Sequence, residues 1–112
     1  MLDPIATRLE HYMDLLSARQ KLVTSNIANA DTPGYHTRDI NFEREFRSLM
    51  AGETPTAVEV TGLQTKNDGN NVSLDREARM LSENALRFNM ASSLLKSQLT
   101  MMKTAITGGG NG

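Results

Sequence analysis

Over the first 30 residues, apolar side chains recur at spacings of three, four and seven, as they do along one face of a helix. Asp3 suits the N-cap of this helix, and Pro4 suits its first turn, where the missing N–H is not needed. A helix over residues 4–29 would be about 40 Å long at about 1.5 Å per residue. Its apolar stripe consists of Ile5, Leu9, Met13, Leu16, Val23, Ile27 and Ala30, with Gln20 as a polar member.

The C-terminal part of the chain predicts a second, longer helix, because it carries two seven-residue repeats side by side. Ser73 is a suitable N-cap for it. One repeat consists of Leu74, Leu81, Phe88, Leu95 and Met102, and the other of Ala78, Ala85, Ser92, Leu99 and Ile106. Two long helices with heptad stripes are typical of a coiled coil. We therefore expect an all-α protein in which the two helices pair as an antiparallel, coiled-coil-like hairpin.

The middle of the chain has a different pattern. Phe42, Phe46 and Leu49 fit one face of a short helix, which Asp39 or Asn41 could cap. Residues 51–72 are rich in Gly, Pro, Asn and Asp, and only AVEVT, residues 57–61, alternates like a strand. This segment is predicted to be flexible and partly disordered. The predicted regions are an N-terminal helix (1–31), a turn, short helix and flexible segment (32–72), a C-terminal helix (73–107) and a disordered tail (108–112).

Both long helices carry apolar residues away from their main stripes. Those of the last helix are Leu86, Met90, Leu94 and Met101, and those of the first include Tyr12, Leu15 and Leu22. One antiparallel partner can cover only one face of a helix, and uncovered apolar patches usually mark interfaces. Either the short middle helix covers these side chains, or neighbouring molecules do. We favour the second reading, which predicts a subunit of an assembly.

Two asparagines, Asn26 and Asn29, lie where the first helix should end, just before a Thr-Pro-Gly turn. A polar amide at an interface lowers stability but fixes register, since a wrong pairing leaves it unsatisfied. If Asn26 has that role, Asn26→Leu should raise helix stability in the isolated chain and impair assembly. Both amides could instead cap the helix end. Pro33 and Gly34 suit the two central turn positions, and Gly34 is expected to need a positive φ.

The composition and charge of the chain exclude several classes of function. With 12 basic and 13 acidic residues the formal net charge is −1, so no general field attracts nucleic acid or anionic lipid. Aromatic residues make up only 4% of the 112 residues, which is a low share for a chain that has to form a hydrophobic core on its own. No apolar run is long enough to insert into a membrane, and the N-terminus lacks the basic and then apolar stretch of a cleaved signal. These features alone indicate a cytosolic protein.

The sequence offers no constellation for catalysis, a cofactor or a metal. Without cysteine, thiolate metal sites and disulfides are excluded, and no spacing fits a zinc site, a phosphate loop or a nucleophile elbow. His36 and Asp39 are near enough in sequence for a hydrolytic dyad, which is a weak alternative. We predict that the chain is not an enzyme.

The stretch SNIANADTPGY, residues 25–35, closely resembles the signature of bacterial flagellar basal-body rod proteins. HTRDINF after it, and DGNNVSLDREARMLSENALRFN before and within the last helix, resemble the proximal-rod type in particular. Residues 51–66 match no pattern and are short for the family. By position, the motif residues that the resemblance assigns to assembly are Asn26, Ile27, Asn29, Pro33, Gly34, Tyr35, Asn70, Asn71, Val72 and Leu74.

The resemblance implies a structural, self-assembling subunit of the proximal rod that links the inner-membrane ring to the rest of the rod and transmits torque for motility. Its partners would be copies of itself, other rod proteins and inner-membrane-ring proteins. It would leave the cytoplasm through the flagellar type III export apparatus without a cleaved signal, and lie in the periplasmic part of the basal body. The alternative from another class is a cytosolic helical-hairpin adaptor or chaperone that binds client helices.

Overall fold

Two long helices and one short helix make up most of the molecule. The computed structural model describes residues 4–110 of the chain. The elements are α1 (Pro4–Ala28), β1 (Arg38–Asp39), α2 (Phe42–Met50), β2 (Val58–Glu59) and α3 (Leu74–Gly110). The described strands form only a two-stranded antiparallel ribbon, in which Arg38 lies opposite Glu59. The predicted all-α class, with the N- and C-terminal helices packed together, is confirmed.

The helix starts follow local capping signals. The side chain of Asn41 accepts from the backbone N–H of Arg44 at 3.2 Å and caps α2. Ser73 Oγ accepts in the same way from the N–H of Arg76 at 3.2 Å and caps α3. The predicted cap Asp3 lies outside the described residues. At the other end, α3 continues to Gly110 rather than ending at residue 107, while residues 111–112 of the predicted tail lie outside the described range.

The α1–α3 seam differs from the one that the heptads predict. Three residues of α3 spaced seven apart, Glu77, Asn84 and Ala91, are buried. Leu81 and Phe88 of the predicted stripe flank this seam, and each leaves 37% of its surface exposed. Periodicity identifies an apolar face of a helix but not the face that its partner will take. Here polar groups decide the pairing: Asn84 Nδ2 donates to the carbonyl of Leu16 at 2.8 Å.

The short helix α2 contacts α1 and not α3 among the described elements. The ring of Tyr12 meets Phe42 edge-on, with centroids 5.2 Å apart, and Phe46 at 6.2 Å. On this side of α1, Leu15 is fully buried and Leu22 is half-buried. The prediction of an open interface at Leu15 is therefore wrong, because α2 packs on α1 within the same chain.

On α3 the outcome is the opposite, because α2 does not reach that helix. Leu86 is 61% exposed, and Met90, Leu94 and Met101 are each 57% exposed. We call these four residues the ridge. The single chain therefore covers the second apolar face of its first helix and leaves that of its last helix open.

The central segment has hydrogen-bonded anchors in the structure. β2 falls within the stretch predicted to alternate, residues 57–61. Upstream of it, the buried carboxylate of Glu45 accepts from the N–H of Thr56 at 3.1 Å. Downstream, the N–H of Lys66 donates to the carbonyl of Asn70 at 2.8 Å. Flexibility of residues 51–72 stays a prediction.

Candidate assembly site

Asn26 is the centre of a junction where the end of α1, the start of α3 and the loop between residues 29 and 41 meet. It is 1% exposed, and its amide uses all four of its hydrogen-bonding positions. Nδ2 donates to the carbonyl of Arg38 at 2.8 Å and to the carboxylate of Glu77. Oδ1 accepts from the hydroxyl of Tyr35 at 2.9 Å and from the N–H of Arg38 at 3.1 Å. One side chain thus joins α1, β1 and α3.

Asn70 and Asn71 hold the returning chain against this junction. Asn70 is fully buried, and its Nδ2 donates to the carbonyls of Asn29 at 2.9 Å and Thr32 at 2.8 Å. Asn71 Oδ1 accepts from the N–H of Thr37 at 2.6 Å. The two amides therefore tie the returning chain to backbone groups at the end of α1 and in the following loop. Val72, the next residue, is buried beside them.

The Thr-Pro-Gly sequence forms the predicted turn. The N–H of Tyr35 donates to the carbonyl of Thr32 at 3.2 Å, and Gly34 has φ +76°. A positive φ at the third turn position, after proline, is the geometry of a type II turn. A Cβ on Gly69 would lie 3.3 Å from the Gly34 Cα, so the two loops approach each other as backbones. The structure thus gives Gly34 the positive φ that the sequence analysis expects.

Asn29 serves the helix end. Its Nδ2 donates to the carbonyl of Ser25 at 2.9 Å, and its Oδ1 accepts from the hydroxyl of Thr32 at 3.0 Å. These are local capping contacts, as the alternative interpretation holds. Asn26 and Asn29 both bond within their own chain. We therefore expect Asn26→Leu to destabilise the isolated chain rather than to stabilise it, since leucine would leave several buried polar groups without partners.

A row of four alternating charges continues the junction, and the sequence analysis missed it. Arg19 holds the carboxylate of Asp39 through two hydrogen bonds of 3.0 Å each. Arg76 donates to the same carboxylate at 2.6 Å and to that of Glu77 at 2.8 Å. Asp39 and Glu77 are buried. Arg19 and Arg76 are 20 and 37 residues away from Asp39 in the sequence. No local sequence pattern indicates pairs that are so far apart.

The environment of Asp39 sets its protonation. Burial raises the pKa of this carboxyl. Hydrogen bonds to the carboxylate lower it, and together they outweigh burial; the donors are the Arg19 side chain, the Ile40 backbone N–H and the Arg76 side chain. The net effect is a pKa below the ordinary value for aspartate. The carboxylate therefore stays ionised and paired, and it ties α1 to α3 through two arginines.

The remaining motif residues lie at the surface. Ile27, Pro33 and Leu74 are exposed around the junction, with Leu74 57% open to solvent. Together with Gly34 in the turn and the ridge, they are the exposed members of the predicted assembly set. The buried members of the predicted set instead build the chain's own hairpin.

The geometry does not favour a hydrolytic dyad. Asp39 is occupied by two arginines, and His36 instead faces Glu59 on the surface, with Nδ1 3.4 Å from Oε2. Within residues 4–110, no group of three or more His, Cys, Asp or Glu side chains is arranged to hold a metal ion. No described helix is both long and apolar enough to cross a membrane.

Comparisons of the sequence with known proteins identify a family. The family model described as flagella basal body rod protein matches residues 13–36, which include the end of α1 and the turn. The chain is 33% identical to the flagellar basal body rod protein FlgB of Salmonella typhimurium, over 97% of this chain and 99% of that protein. Its identity to FlgB of Escherichia coli is 30% over the same shares. With FlgB of Bacillus subtilis it is 25%, over 90% of this chain and 92% of that protein.

A helical hairpin closed by a polar junction, with an apolar ridge left open, has the architecture of a structural subunit. The chain belongs to the flagellar basal-body rod proteins and, within them, to the FlgB-type proteins of the proximal rod. It is a structural component of the flagellar basal body and not an enzyme. The alternative of an adaptor or chaperone is not favoured. Because the alignment with the Salmonella protein extends over 137 positions and this chain has 112 residues, the alignment contains gaps in this chain.

Proposed function

We propose that the chain stands in the proximal rod, in the periplasmic part of the basal body, and connects the inner-membrane ring to the rest of the rod. The observation that carries this proposal is the ridge. Four large apolar side chains remain exposed although the hairpin is already closed by its own junction. Neighbouring rod or ring subunits are the partners that would cover them.

The stiffness that torque transmission needs comes from the junction. Asn26, Asp39 and Glu77 are buried and hydrogen-bonded between elements that are far apart in sequence. Such contacts resist sliding of α1 along α3, because any shift of register would leave buried charges or amides without partners. A subunit built in this way can pass a load from one neighbour to the next without changing its own shape.

A charge on the ridge should separate folding from assembly. We expect Met90→Glu to leave the free energy of unfolding of the isolated chain unchanged within about 0.5 kcal/mol, because the side chain is exposed. In cells that lack the native chain, the same variant should fail to enter basal bodies and to restore swimming. Burying one such side chain contributes about 1.5–3 kcal/mol, and burying a glutamate in its place costs more.

The matched control is Thr24→Glu, which adds the same charge at an exposed position of α1. This variant should assemble and support motility. Normal rods with Met90→Glu would contradict the proposal that the ridge is a subunit interface.

Placement also requires export, and we propose that the flagellar type III apparatus carries the chain out of the cytoplasm without cleaving a signal. The chain should then be found outside the cytoplasm at its full length in export-competent cells and only inside export-deficient ones. Retention in the cytoplasm of both strains would contradict the proposed location.

A further inference from the structure

A groove runs beside the α1–α3 seam, on the side of α3 away from the ridge. It has a volume of about 490 Å³ and is mostly apolar, with Leu16 on α1 and Leu81, Ala85 and Phe88 on α3. Leu81 and Phe88 are seven residues apart, so the groove extends over about 10 Å of α3 at about 1.5 Å per residue. These are the side chains that the heptad pattern assigns to the α1 contact and that the fold leaves partly open.

Asn84 lines the same groove and carries an unpaired oxygen. The residue is 5% exposed, and its Nδ2 donates to the carbonyl of Leu16 at 2.8 Å and to Gln20 Oε1 at 3.1 Å. Only the amide nitrogen can donate to that carbonyl, which fixes the orientation of the side chain. Its Oδ1 is then a buried acceptor for which the described residues provide no donor. Buried acceptors are nearly always hydrogen-bonded, so this oxygen needs a donor, which an ordered water or another molecule can supply.

We propose that the groove of one copy receives the ridge of a second copy, so that identical subunits stack through two different surfaces. The inference rests on the proposed function, and it identifies the two surfaces through which neighbouring copies make contact. At about 100° per residue, the ridge lies roughly opposite Leu81, Ala85 and Phe88 around α3. Copies in the same orientation can therefore place ridge against groove repeatedly.

The two surfaces match in length and in chemistry. Leu86 to Leu94 extends over about 12 Å of helix, close to the length of the groove. Ser93 lies with Met90 and Leu94 on a shallow depression of the ridge, and its hydroxyl is a donor suited to Asn84 Oδ1. A contact between two different patches gives a closed ring when its rotation closes and an open helical assembly when it does not, and a rod requires the second case.

This contact is too small for a stable dimer. Two helical turns on each side bury well under the roughly 800 Å² per partner that stable complexes use. We therefore expect the purified chain to associate weakly in solution and to hold this contact in the rod, where several contacts act together. A covalent trap is accordingly the appropriate test.

The chain contains no cysteine, so introduced thiols report a single contact. In the double variant Ala85→Cys/Met90→Cys, mild oxidation of basal bodies and of the concentrated pure chain should give a ladder of disulfide-linked dimers, trimers and longer species. An equimolar mixture of the two single variants should stop at dimers, and each single variant alone should stay monomeric. Met90→Cys paired with Thr24→Cys is the control and should give no ladder.

Ser93→Ala in the double-cysteine background tests the hydrogen bond to Asn84. Loss of one such bond should lower the cross-linking yield of the pure chain about five-fold, whereas Ser92→Ala should not change it.

Three results would overturn the stacking contact: self-linked single variants, cross-links to a different protein in place of a ladder, or no cross-link at all. Incorporation of the reduced double variant into basal bodies is scored separately. If it is incorporated without forming a ladder, the proposed function stands and this inference fails. If it is absent from basal bodies while the unmodified chain is also absent, the proposed function itself fails.

Discussion

At the scale of single residues, the molecule depends on amides and charges buried where its segments meet. Asn26 uses its whole hydrogen-bonding capacity inside the chain, and Asn70 bonds the carbonyls of Asn29 and Thr32 where the chain enters the turn. Buried polar groups stabilise a structure only when every partner is present. The family signature around residues 25–35 therefore has a physical role in the monomer, in addition to any role between subunits.

Replacement of Asn26 should be costly. Asn26→Leu removes partners from Glu77, Tyr35 and the backbone of Arg38, and we expect a loss of about 2–4 kcal/mol in the free energy of unfolding. Urea unfolding followed by circular dichroism measures it. Asn29→Leu, which breaks only local capping bonds, should cost about 1 kcal/mol or less. Equal effects of the two variants would contradict the central role given to Asn26.

Asp39 should make stability depend on acid. Its pKa is lowered in the folded chain, so the folded state binds fewer protons there than the unfolded state, whose value is about 3.9. The stabilisation that Asp39 gives the folded chain is fully present above the pKa of the unfolded state, and it is lost as the pH falls through the pKa of the folded state. Unfolding measured from pH 7 downward should show this decline, and Asp39→Asn should be less stable at pH 7 with a shallower decline.

The control for that series is Asp75→Asn. Asp75 pairs with Arg79 on the surface, where its side chain is 85% exposed. Exposed pairs contribute little, so the acid dependence of this variant should follow that of the unmodified chain. An unchanged profile for Asp39→Asn would show that the Arg19–Asp39–Arg76 contacts do not stabilise the fold.

At the scale of elements, the starts of the helices and the turn could be predicted, but the packing between helices could not. Asn41, Ser73 and Gly34 act through neighbours a few residues away, and such signals are local. The seam depends on Asn84 bonding to Leu16, 68 residues earlier. Heptad spacing places Leu81 and Phe88 on one apolar face of the helix, but it carries no information about hydrogen bonds between residues so far apart in sequence.

The turn offers a prediction at this scale. Gly34 has φ +76° and open space around its missing Cβ, so the cost of a larger residue is conformational. We expect Gly34→Val to lower the free energy of unfolding by about 1–2 kcal/mol. Pro33→Ala should cost less than about 1 kcal/mol, because alanine can adopt the same φ. Thermal unfolding of the two variants compares them, and the reverse order would contradict the assigned turn.

At the scale of the whole molecule, the chain is a long hairpin that is closed on one side only. It measures 71 × 26 × 18 Å, and α3 has 37 residues against 25 in α1. The register that places Tyr12 near Arg87 and Asn26 near Glu77 puts Pro4 close to residues 95–99 of α3. Beyond that point α3 extends past the start of α1, and Met101 and Ile106 there are exposed. Both this end and the ridge are surfaces that neighbouring subunits would complete.

The central claim is that the ridge is open in the free chain and covered in the rod. Its most direct test is the rate at which a water-soluble maleimide labels Leu94→Cys, first in the purified chain and then in intact basal bodies. Thr24→Cys, on the exposed side of α1, gives the reference rate in each sample. The account predicts that Leu94→Cys is labelled rapidly in the free chain. In the rod, its rate relative to the reference should be at least tenfold lower, and a factor of ten corresponds to about 1.4 kcal/mol of protection. Equal relative rates in the two samples would contradict it.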